Sequence, residues 1–80
     1  MEKDYVQRIV SKTSVRGGEP CIKGTRIPVS VVVSNIAHGL TREDILREYP
    51  QLTDADISAS LLYAAKAVQE ESFYAFGRSA

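Results

Sequence analysis

The sequence predicts a mostly α fold with a small N-terminal β-element and a three-helix, helix-turn-helix-like core. Apolar residues from Val29 to Leu40 recur on one helical face. Helix-start signals follow at Thr41 and Thr53. Ahead of Pro28 the chain is β-branched and broken by glycine turns. At 80 residues it makes a single domain, 1–80. Short strands and turns occupy 1–28, three helices 29–76, and a tail 77–80.

In chain order, Tyr5-Val6-Gln7-Arg8-Ile9-Val10 mixes aromatic, β-branched and polar residues as a half-buried strand does. Gly17-Gly18 supplies a tight turn, and Pro20 fixes the chain where it re-enters. The stretch Cys21-Ile22-Lys23-Gly24-Thr25-Arg26-Ile27-Pro28 reads as a compact loop or minimal hairpin. Its Ile22 and Ile27 point inward, and Lys23 and Arg26 flank the turn at Gly24. Pro28 starts the first helix, where a missing amide donor costs nothing. Val29, Val32, Val33, Ile36, Ala37 and Leu40 make its apolar stripe, and Gly39 sits at its left-handed C-terminal cap beside His38. Thr41-Arg42-Glu43-Asp44 is a capping-box-like start for a short helix bearing Ile45, Leu46 and Tyr49, ended by Pro50. Thr53-Asp54-Ala55-Asp56 opens the longest helix, with Ile57, Leu61, Ala64, Ala65 and Val68 as its stripe. The pattern runs toward Phe76, with Gly77 as its stop. The Gly39-centred turn between the first two helices resembles that of a helix-turn-helix.

Ten Lys/Arg balance ten Asp/Glu, so bulk charge does not make this a coat for nucleic acid or acidic membranes. The balance hides a split. Residues 1–40 carry six basic against three acidic residues, net +3, and residues 41–80 carry four against seven, net −3. Such asymmetry is either two solvated faces or the mark of a directed partner. A single cysteine, Cys21, rules out an intrachain disulfide. No stretch has the length and apolarity of a membrane span or signal segment, so a cytoplasmic protein is expected.

Chemistry-bearing constellations are sparse. Cys21 and His38 are the only soft or imidazole ligands, too few for a zinc site within one chain. They also form the one conceivable nucleophile–base pair, set against a buried cysteine and a surface cap histidine. Asp54 and Asp56 fall in a helix first turn, where acids are favoured without any catalytic role. No phosphate loop, dinucleotide fingerprint or metalloprotease motif is present. The expectation is a protein that is not an enzyme and carries no metal or cofactor.

The string Gly18-Glu19-Pro20-Cys21-Ile22-Lys23-Gly24-Thr25-Arg26-Ile27-Pro28-Val29 resembles the hallmark of the domain of unknown function 433 family. Ala37-His38-Gly39, Thr41 through Leu46, Tyr49-Pro50, Leu52-Thr53, Asp56-Ile57 and Leu62-Tyr63-Ala64 continue the likeness over about residues 9–68. Glu19 departs from it, standing where a basic residue is usual, as does Lys12-Thr13, where Asp-Pro is frequent. The resemblance implies a small prokaryotic protein with a homeodomain-like or winged-helix-like core. It also implies kinship with VapB-type antitoxins, which accompany a PIN-like ribonuclease toxin and bind their own operator DNA.

Two surfaces suit those partners. For DNA the candidates are Arg8, Lys12, Arg16, Lys23 and Arg26, with Arg42 and Arg47 on the second helix. Glu43, Asp44 and Glu48 weaken that helix as an anchor. Arg26 has a second reading, as a residue that pins the hairpin by bonding backbone carbonyls. For the toxin the candidates are Phe73, Tyr74 and Phe76 with Glu70 and Glu71, aromatic anchors with acids suited to a basic RNA-binding site. The same aromatics also suit simple coverage of the core. Gly24, Thr25, Arg26, Pro28 and Gly39 form the structural motif. So small a core predicts a homodimer, with 5–10 as one pairing edge. The rivals are an interaction module that never touches DNA and a small hydrolase using Cys21 and His38.

Overall fold

A computed structural model describes the backbone of residues 7–10 and 19–79, with side chains over 7–10 and 19–69. The elements in chain order are β1 (Ile9–Val10), β2 (Cys21–Ile22), α1 (Val29–Ala37), α2 (Arg42–Glu48) and α3 (Asp54–Ser79). Among the described residues the fold is mostly helical, with these three helices and a two-stranded antiparallel sheet near the N-terminus. Ile9 pairs with Ile22 and Val10 with Cys21.

Of the strand expected over 5–10, Ile9–Val10 are strand and residues 7–8 are helical, while 5–6 lie outside the described residues. Beyond Ile22 the chain turns at once, with the Lys23 N–H donating to the Arg8 carbonyl at 2.7 Å. Gly17-Gly18 lies outside the described residues.

Helix α1 begins after Pro28, whose φ of −68° and ψ of 150° make it the extended N-cap. It ends as the glycine implied. Gly39 adopts φ +94°, donates to the Ile36 carbonyl, and Leu40 donates to the Asn35 carbonyl. These are the two bonds of a Schellman cap, and they turn Leu40 back onto the core. Both predicted helix starts are reciprocal capping boxes. Thr41 and Asp44 exchange bonds of 2.9 and 3.0 Å, and Thr53 and Asp56 exchange bonds of 2.9 and 3.2 Å. Helix α2 ends before Tyr49 because a residue preceding proline is disfavoured in the helical region.

The core comprises Ile22, Ile27, Val32, Ile45, Leu52 and Ile57, joined at its margin by Ile9, Val31, Ile36, Leu40, Leu46, Tyr49 and Leu61. The expected stripes are corrected in two places. On α1, Val31 reaches the core margin while Ala37 is exposed. On α3 the stripe stops at Leu61, and Ala65 and Val68 are exposed. Length explains the second correction. At about 1.5 Å per residue, α1 spans roughly 14 Å and α3 roughly 39 Å. α3 therefore outruns the helix that covers it. It also runs through Gly77 to Ser79, so the predicted stop and tail are absent from the backbone. The radius of gyration, 13.5 Å, exceeds the roughly 12 Å of a compact chain of this length, as a projecting helix requires.

Candidate functional site

The 21–28 hairpin is built on one threonine. The Thr25 hydroxyl donates to the Ile22 carbonyl at 2.8 Å and accepts the Ile27 N–H at 3.0 Å. The Thr25 N–H also donates to the Ile22 carbonyl, and Ile22 N–H to the Ile27 carbonyl, each at 3.0 Å. Gly24 supplies the φ of +82° that closes the turn. Ile22 and Ile27 are thereby driven into the core, while Lys23 and Arg26 stay exposed on either side of Gly24. Of the two readings of Arg26, pinning belongs to Thr25 instead. Neither the Lys23 nor the Arg26 side chain has a partner among the described residues.

The other predicted cations are engaged. Arg8 Nη1 donates to Asp56 Oδ1 at 3.1 Å, tying the β-element to α3. Asp56, buried, accepts the Thr53 N–H with its other oxygen. Arg42 is a clamp between α2 and α3. Its Nε reaches Asp54 Oδ1 at 2.7 Å, and its Nη2 reaches the Asp54 carbonyl at 2.9 Å and Ser58 Oγ at 2.6 Å. That hydrogen bond to Asp54 raises the Arg42 pKa and holds the Asp54 carboxyl below the usual carboxylate range. Arg47 pairs with Asp44 at 3.3 Å. Asp44 is also held low, chiefly by the Thr41 backbone N–H, then by the Thr41 hydroxyl and Arg47. Glu43 and Glu48 are exposed on α2. Lys12 and Arg16 lie outside the described residues.

Cys21 and His38 do not meet. Cys21 is buried beside Pro28 at the start of α1, and His38 is exposed at its far end, where Nδ1 lies 2.7 Å from the Ser34 carbonyl. Among the described residues, no group of three or more His, Cys, Asp or Glu is placed to hold a metal. No described helix is long and apolar enough to cross a membrane. Sequence reasoning missed an apolar groove of about 360 Å³ between α1 and α3, lined by Val29, Val33, Tyr63, Ala64 and Val68. Its signal was Val33, which lies off the face that enters the core. The side chains of Glu70, Glu71, Phe73, Tyr74 and Phe76 lie outside the described set, on the projecting part of α3.

These features define a small, mostly helical domain with an exposed cationic hairpin and a last helix that projects beyond the core. The chain belongs to the DUF433 family, described as protein of unknown function, whose pattern it matches over residues 9–64. A crystal structure of a DUF433 member protein from Anabaena variabilis is similar, with a TM-score of 0.74 and 33% identity. That match covers 85% of this chain and 71% of the other. An uncharacterized protein, y4eO, from Sinorhizobium fredii is 34% identical over 56 residues. The match takes in 70% of this chain but spans only 25% of the length of that relative.

Proposed function

We propose that this chain is a non-catalytic interaction module of the antitoxin type, which holds a PIN-like ribonuclease toxin through the projecting part of α3. The supporting observation is the helix itself. It continues for 18 residues, about 27 Å, beyond Leu61, its last residue at the core margin. The family match ends at residue 64, so all but the first three residues of this segment lie beyond it. Its sequence concentrates Glu70, Glu71, Phe73, Tyr74 and Phe76. Aromatic side chains dominate many interfaces, and acids complement a nuclease site that binds phosphates. The test is inhibition of a PIN-like ribonuclease encoded beside this chain. Removing residues 70–80 is expected to abolish inhibition and leave the thermal midpoint within a few degrees. Full inhibition by the truncated protein refutes the reading.

A second reading, operator binding, is supported by the exposed Lys23 and Arg26. It moves the DNA contact from α2, whose Arg42 is clamped, to the hairpin with Lys12 and Arg16. Lys23→Ala with Arg26→Ala is expected to weaken binding to upstream DNA and to lower the salt slope by about 2. Unchanged mobility of that DNA with wild-type protein at low salt removes this reading.

A further inference from the structure

We infer that the exposed face of α1 is a base-reading surface for duplex DNA, on which Asn35 and His38 meet base edges while Lys23 and Arg26 hold phosphates beside its first turn. The inference rests on the operator-binding reading and deepens it, because phosphate contacts from the hairpin carry no sequence information of their own.

α1 buries Val29 and Val32 and turns Ser30, Ser34, Ala37 and the cap residue His38 to solvent. Ser30, Ser34 and His38 follow at four-residue steps and share one face, with half-buried Asn35 beside them. The outer face of a surface helix ordinarily carries charged side chains. α1 has none in its nine residues, whereas α2 has five in seven. Its outer surface is small, uncharged and rich in hydrogen-bonding groups. A shallow depression of about 450 Å³ runs along Ser30, Val31, Ser34 and Asn35.

Two of these groups suit base edges. The Asn35 side chain has no hydrogen-bond partner among the described residues, and its amide matches the donor and acceptor of adenine N6 and N7. His38 Nδ1 lies 2.7 Å from the Ser34 carbonyl. A carbonyl only accepts, so Nδ1 carries the proton and Nε2 is the acceptor of the neutral ring. Asn35 and His38 are about 4.5 Å apart along the helix axis, against roughly 3.4 Å for a base-pair step, so they meet neighbouring base pairs. Ser30 is already engaged, its hydroxyl donating to Glu19 Oε2 at 2.7 Å.

The cations belong to the same end of the molecule. The Val29 N–H donates to the Pro20 carbonyl at 2.9 Å and Cys21 bridges to Pro28, which ties the hairpin to the start of α1. Lys23 and Arg26 are exposed there without a partner among the described residues, beside the positive end of the helix dipole. Uncharged readers on a helix, with cations next to one end, complement a major groove about 12 Å wide and walled by phosphates.

Fluorescence anisotropy of the full chain tests this with two duplexes, one from immediately upstream of its gene and one shuffled at the same composition. Wild-type protein is expected to prefer the upstream duplex. Asn35→Ala and His38→Ala are each expected to cut that preference at least about fivefold with the salt slope unchanged. Lys23→Ala with Arg26→Ala is expected to weaken both duplexes alike. Alanine is the better helix former at position 35, and far-UV circular dichroism of the variants is expected to match wild type. A folded Asn35→Ala, His38→Ala double variant that keeps the preference overturns the inference and leaves operator binding standing. Loss of the preference on Arg47→Ala also overturns it, because α2 is then the reading helix. Wild-type binding without preference overturns it while sparing the hairpin's phosphate contacts, and no binding to either duplex at low salt removes both readings.

Discussion

Thr25 and Arg26 are adjacent, both polar and both part of the hairpin motif, yet the structure assigns them opposite roles. Thr25→Val keeps the shape of the side chain and removes its hydroxyl. Two hydrogen bonds go with it, the 2.8 Å bond to the Ile22 carbonyl and the 3.0 Å bond from the Ile27 N–H. The Ile22 carbonyl still accepts from the Thr25 N–H. The Ile27 N–H is left without its acceptor in a residue that is 8% exposed. At about 1 kcal/mol for each net bond, with the orphaned donor adding to the loss, the cost is roughly 2 kcal/mol. A chain of this size has only about 4–12 kcal/mol of stability, so the thermal midpoint falls by roughly 10 °C. Arg26→Ala removes an exposed side chain with no described partner, and its effect stays within about 0.5 kcal/mol. Urea denaturation followed by circular dichroism measures both. If Arg26→Ala destabilises the protein more than Thr25→Val, the arginine is the pin and the assignment is wrong.

Three further outcomes follow from the geometry. Gly39→Ala forces a side chain into φ +94° at the Schellman cap and is expected to cost about 1 kcal/mol in chemical denaturation, with no loss expected if that cap is not formed. Ile57→Ala empties a fully buried core site and is expected to cost about 2–5 kcal/mol, enough to leave the variant partly unfolded near 37 °C by calorimetry. The Asp44 and Asp54 carboxyls are held below their ordinary range in the folded protein. Their contribution is therefore present above about pH 4 and is lost as pH falls below it. An acid titration of stability is expected to flatten in that window when Asp54→Asn and Arg42→Gln are combined, and an unchanged acid limb refutes the clamp.

Local chemistry was legible in the sequence where a few neighbouring residues decide the outcome. The capping box at Thr41, the helix start at Thr53, the glycine-ended α1 and the inward Ile22 and Ile27 depend on contacts within five residues, and each stands as read. What lay beyond reading depends on distant partners. Arg8 meets Asp56 across 48 positions, and Arg42 meets Asp54 across 12, so their exposure as DNA contacts could not be judged from composition. The α3 stripe was read too far for the same reason. Periodicity reports which face is apolar but not where the covering helix ends. Ser60 shows the converse, a polar residue fully buried because its hydroxyl donates to the Asp56 carbonyl one turn back at 2.9 Å.

The charge split of the sequence takes a different form in the fold. Arg8 from the basic half is neutralised by Asp56 from the acidic half, so part of the asymmetry is consumed by internal ties. Arg42 and Arg47 are likewise matched within the acidic half. The exposed, unmatched charges among the described residues include Lys23 and Arg26 at the hairpin and Glu43 and Glu48 on α2. The hairpin precedes α1 in the chain and α2 follows it, so the two signs flank that helix in sequence. α1 contributes to the same polarity, because its N-terminal end is the positive one. In a helix-turn-helix the second helix enters the major groove. Here the second helix carries the wrong sign to do so, with Arg42, the cation best placed to offset it, bound to Asp54 and Ser58. The cations without a partner among the described residues therefore include Lys23 and Arg26 of the hairpin, while Arg42 ties α2 to the first turns of α3.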